Sequence, residues 1–129
     1  MDIGHLHLHV RDVTRAVAFY RWWFDLQLRS EEDGLAFLGG SSSFLLALAA
    51  DDDPAPPPTW FHFGVPQASA AAVRDMATRM EAAGVPIAKS LCEDASFASF
   101  RCRDPDGYAI EVYWDAATPA AASERSPPS

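Results

Sequence analysis

Asp104-Pro105-Asp106-Gly107-Tyr108-Ala109-Ile110-Glu111-Val112-Tyr113 joins a tight-turn tetrapeptide to an alternating strand. Proline presets one backbone angle and glycine accepts a positive φ, so Asp-Pro-Asp-Gly reverses the chain with little strain. Side chains then alternate with period two: Tyr108, Ile110 and Val112 share one face, and Ala109, Glu111 and Tyr113 share the other. A carboxylate in the middle of a half-buried strand requires a partner, a metal or a ligand. Glu111 is therefore the first candidate functional group.

Upstream, the same reading finds a repeated unit. His5-Leu-His-Leu-His-Val10 alternates strictly and predicts a strand, and Asp12 caps a helix whose apolar residues Val13, Ala16, Val17, Tyr20, Trp23 and Phe24 recur at helical spacing. Short strands are predicted at 27–31, 35–38 and 44–49. Prolines and like charges in Asp51-Asp-Asp-Pro-Ala-Pro-Pro-Pro58 forbid regular structure, so 51–58 reads as an extended connector. The order then recurs, with a strand over Trp60–Val65 and a helix capped by Ser69 that carries Val73, Met76, Ala77 and Met80 and ends at Gly84. Strands at 87–91, 97–103 and 108–114 complete it. The fold class expected is α+β, with two β-α-β-β-β modules at 1–50 and 59–115 forming a curved, partly open mixed β-sheet barrel. Residues 116–129, rich in Ala, Pro and Ser, read as a disordered tail.

Composition limits the partners. A formal charge of −8 without a basic cluster argues against nucleic acid and anionic membranes, and 49% hydrophobic residues suffice for one domain-sized core. Apolar runs fall short of a membrane span and no leader pattern opens the chain, so a cytoplasmic location is expected. Cys92 and Cys102 lack redox spacing and read as reduced, half-buried thiols.

The internal repeat can be registered on itself. Matching the two strand ends at Val10 and Val65 pairs His5 with Trp60, and laying 36–47 on 100–111 pairs Ala47 with Glu111. The apolar strand faces should carry the helices. The opposite faces would line a small-molecule site with His5, His7, His9, Leu45, Ala47, Trp60, His62, Glu111 and Tyr113, and with Arg101 if the seventh strand keeps register. His9, nearest the strand end, fits an ordinary polar strand face. Arg101 would pair with Glu111 or a surface acid, or serve as the fixed cation for a ligand oxygen.

On these stretches, namely His5-Leu-His-Leu-His-Val-Arg-Asp-Val13, Ala18-Phe19-Tyr20, Phe63-Gly-Val65 and Asp104-Pro-Asp-Gly-Tyr-Ala-Ile-Glu111, the chain resembles the vicinal oxygen chelate superfamily of glyoxalases, bleomycin-resistance proteins and extradiol dioxygenases. The resemblance implies paired modules, usually in a homodimer, and in metal-dependent members a ligand set in which His5 and Glu111 match. Trp60 stands where a further histidine is expected, and indole cannot ligate a cation in its neutral form.

The first reading is accordingly a metal-independent, bleomycin-resistance-like protein that binds and sequesters a bulky aromatic natural product or antibiotic, with no cofactor and with Trp60 and Tyr113 as stacking surfaces. The alternative is a lyase, isomerase or dioxygenase using Fe, Mn, Ni or Zn on a displaced set of His5, His62 and Glu111. A third is cofactorless acid–base chemistry with Glu111 as base.

Overall fold

The computed structural model describes residues 1–117. Ten elements follow in chain order: β1 His5–Val10, α1 Val13–Phe24, β2 Gln27–Glu32, β3 Leu35–Gly39, β4 Leu45–Ala50, β5 His62–Pro66, α2 Ala70–Ala82, β6 Ile87–Asp94, β7 Phe97–Arg103 and β8 Ala109–Asp115. The β-α-β-β-β order therefore occurs twice, and the class is α+β. By compactness the chain divides at Pro56/Pro57, inside the Pro-rich connector.

In the first unit the sheet order is β1-β4-β3-β2, with β1 and β4 parallel and the other pairs antiparallel. Asp12 accepts a hydrogen bond from the Arg15 amide at 3.0 Å and starts α1, while Asp25, left-handed at φ 53°, closes it. The helix lies over β3 and β4. Its Ala16, Val17 and Tyr20 are buried, as are Leu8, Val10, Leu38, Leu46 and Leu48 on the strands. Burying a side chain of this size contributes about 1.5–3 kcal/mol, which is what fixes the strand faces.

The second unit repeats the topology as β5-β8-β7-β6, again with only the first pair parallel. Ser69 caps α2 by accepting from the Ala72 amide at 3.1 Å. Val73, Met76, Ala77 and Met80 are buried on this helix, and Phe100, Cys102, Ile110 and Val112 are buried on the strands.

Several expected boundaries move. The strand expected at Trp60 begins at His62, because the Phe61 amide bonds to the Pro58 carbonyl at 3.0 Å and closes a turn that contains Trp60. Phe44 precedes β4 and is exposed, its amide turned to Ser42 Oγ. Tyr108 precedes β8 because its amide is held by Asp104 Oδ1. β6 runs to Asp94 rather than 91, since its pairing with β7 continues to the Asp94–Phe97 pair. Of the tail expected to be disordered, Ala116 and Ala117 are ordered by bonds to the Ser96 carbonyl and Asp115 Oδ1, and the rest lies outside the described residues.

The thiols also depart from the half-buried expectation: both are free, but Cys92 is exposed on edge strand β6 and Cys102 is buried. Burial pushes the Cys102 thiol up to about 12. A thiol-specific disulfide reagent is therefore expected to titrate Cys92 alone in the native protein and both cysteines in denaturant. Equal reaction of both without denaturant would contradict this burial.

Candidate functional site

The Asp104–Gly107 turn positions Glu111. Gly107 adopts φ +90° and donates its amide to the Asp104 carbonyl at 3.0 Å, while the buried Asp104 carboxylate accepts from the Asp106 and Tyr108 amides, both at 2.9 Å. The chain leaves the turn fixed, and Glu111 emerges on the β8 face opposite α2. Its Oε2 accepts a 2.7 Å hydrogen bond from Ser99 Oγ, and its Oε1 lies 3.4 Å from His62 Nε2. The other nitrogen of that ring, Nδ1, lies 3.3 Å from the Trp60 carbonyl. A neutral imidazole can donate to only one of these two acceptors.

Strand register sets the remaining neighbours. Gly64 on β5, Glu111 on β8, Arg101 on β7 and Lys89 on β6 form one row across the sheet. In the adjacent row Pro66, Tyr113, Ser99 and Cys92 follow one another. A Cβ on Gly64 would meet the Tyr113 ring at 2.9 Å, so the missing side chain makes room for that ring beside Glu111. The Arg101 side chain makes no hydrogen bond or ion pair to any described residue, although Glu111 is its direct cross-strand neighbour, and its Nε is buried without an acceptor. The pairing expected between Arg101 and an acid does not form, because both Glu111 oxygens are turned to Ser99 and His62.

In the first unit His5 and His7 stand beside Leu45 and Ala47 on the sheet face opposite α1. Ala47, expected to line a site, is 1% exposed. Its small side chain sits between cross-strand neighbours His7 and Phe37. His9 bonds Asp51 Oδ2 at 2.9 Å and tethers the start of the connector, and this bond holds the Asp51 carboxyl below its ordinary value.

Register also revises the internal match. Ala47 pairs with His7 in the first unit, whereas Glu111 pairs with Gly64 in the second. If Ala47 corresponds to Glu111, then His7 corresponds to Gly64 and His5 to His62. Each of these two histidines opens its strand. Trp60, 75% exposed in the preceding turn, is not the counterpart of His5. Matching the valines at the strand ends misled by two residues, because the two modules do not leave their first strands at the same point. Ser99, Gly64 and Lys89 were not singled out from the sequence, although the period-two rule that selected Arg101 also selects Ser99 two residues earlier.

The donor set can be tested against a divalent cation. Two donors each about 2.1 Å from a tetrahedral ion lie about 3.4 Å apart, and His62 Nε2 and Glu111 Oε1 have that separation, which is long for a hydrogen bond. Ser99 orients the carboxylate as an outer partner does in metal centres. The pair fits two ligands of one ion. Among the described residues no group of three or more His, Cys, Asp and Glu side chains is gathered to hold one.

A family model for the Glyoxalase/Bleomycin resistance protein/Dioxygenase superfamily matches residues 2–112. The chain belongs to this superfamily. Among solved structures, this superfamily member is similar to a possible glyoxalase from Bacillus cereus, at 29% identity and TM-score 0.76, over 87% of this chain and 97% of that one. It is also similar to lactoylglutathione lyase from Agrobacterium tumefaciens, at 26% identity and TM-score 0.71, over 88% and 92%. A genomically encoded fosfomycin resistance protein from Listeria monocytogenes shares the fold at 18% identity and TM-score 0.77, over 91% and 95%. No curated protein matches the chain. No helix among the described residues is long and apolar enough to cross a membrane.

Proposed function

We propose that this superfamily member is an enzyme of the lyase or isomerase kind that acts on a small oxygen-rich molecule with a divalent metal, His62 and Glu111 serving as ligands. The observation that carries this reading is the His62–Glu111 pair, 3.4 Å apart and backed by Ser99. His62, two residues beyond Trp60 and beside Glu111, supports this reading over the one that gives Trp60 the weight. The similarity to a lactoylglutathione lyase supports the same reaction class.

A bound divalent ion would act as a Lewis acid on substrate oxygens. The chain's own contribution is to hold the ligands. Ser99 keeps one Glu111 oxygen engaged so that the other faces His62, and Gly64 lets Tyr113 lie beside them.

Elemental analysis after purification without chelators tests the proposal. About one divalent ion per chain is expected, with loss of retention in His62→Ala and Glu111→Gln. Ser99→Ala is expected to weaken retention about 10–100-fold, the usual effect of removing an outer partner. If the ion is absent and metal-free protein instead quenches its tryptophan fluorescence with bulky aromatic compounds, the sequestering role replaces the enzymatic one.

A further inference from the structure

Neither Arg101 nor Lys89 is among the candidate metal ligands. Lys89 is the only lysine of the chain, and in a protein of formal charge −8 it lies directly across from Arg101 on neighbouring strands. Arg101 is half-buried and its Nε is shut off from solvent without an acceptor. Its guanidinium has no hydrogen-bonding or ionic partner among the described residues, although the row places it next to Glu111. That carboxylate is committed to Ser99 and His62. Two cations therefore sit side by side, one of them partly desolvated, on the face that presents the candidate ligands.

We infer that Arg101, assisted by Lys89, is the anchor for a compact oxyanion on the ligand, a carboxylate or a phosphonate. The inference rests on the proposed small-molecule site and names the class of compound it takes. A planar guanidinium matches two oxygens of one such group, and Lys89 adds a point charge at its far side. The exposed Cys92 lies on the same face, across from Ser99, and reports whether that face is covered.

Benzoate and phenylphosphonate serve as probes, with benzamide as the neutral control. Calorimetric titration of the protein as purified, together with the rate at which iodoacetamide alkylates Cys92, gives affinity and location. At least one of the two anions is expected to bind and to slow alkylation, whereas benzamide does neither. Arg101→Gln should weaken the anion about 10–100-fold, as for a lost hydrogen bond to a charged group, and Lys89→Ala should weaken it less. Arg101→Lys should recover part of the affinity. Which anion binds more tightly decides between the two sources of charge. Benzamide binding as tightly as the acids, or undiminished anion binding in a folded Arg101→Gln chain, overturns the inference. Metal content separates the two proposals: Arg101→Gln retains the ion if only the anchor is lost, whereas anion binding in a chain that never holds metal defeats the enzymatic reading alone.

Discussion

Asp104→Ala is expected to lower stability by about 2–4 kcal/mol, because a buried and a part-buried backbone amide lose their acceptor and an unmet buried donor costs about 1–3 kcal/mol. The carboxylate holds the amides of Asp106 and Tyr108 at 2.9 Å each and is itself 4% exposed. Its loss frees the turn from which β8 starts. The effect therefore reaches Glu111, and metal retention should fall together with the urea midpoint. Asp104→Asn keeps an oxygen acceptor and should retain roughly half of the lost stability. Equal urea midpoints for the alanine variant and the parent would show that the turn holds without this carboxylate.

Phe100→Ala should cost about 3–5 kcal/mol, the usual range for emptying a large aromatic site in a packed interior. Phe100 is fully buried on β7, pairs with Val112 across the strand and lies on the sheet face that carries α2. Denaturant unfolding measures the loss, with the slope unchanged if only the native state is affected. Phe44→Ala is the control. That ring is exposed before β4, and its removal should change stability by no more than about 0.5 kcal/mol. A Phe100→Ala midpoint matching that of the control would contradict the strand faces described above.

Most of the architecture was legible because its signals are local. Asp12 and Ser69 stand where helices begin, and each accepts the amide three residues on. Period-two alternation in His5–Val10 and Tyr108–Trp114 assigned the faces that burial reproduces at Leu8, Val10, Ile110 and Val112. The site was less legible, because it depends on pairing between strands distant in sequence. Whether Glu111 stands beside Gly64 or another β5 residue is a matter of register, and register is fixed by hydrogen bonds that no linear pattern displays. Trp60 illustrates this. Its position was inferred by counting back from Val65, but the Phe61–Pro58 bond turns the chain before the strand begins.

The strands β2 and β6, each at the end of its sheet, carry a further consequence. Every residue of β2 is exposed, as is all of β6 after Ile87, and both contain register irregularities against their neighbours. Glu31, Glu32 and Arg29 on one rim, and Lys89, Glu93 and Asp94 on the other, add charge to a contour that does not run true. A foreign chain seeking to zip onto either rim meets mismatched amides and ionic side chains, so fibrillar growth by strand accretion is opposed there.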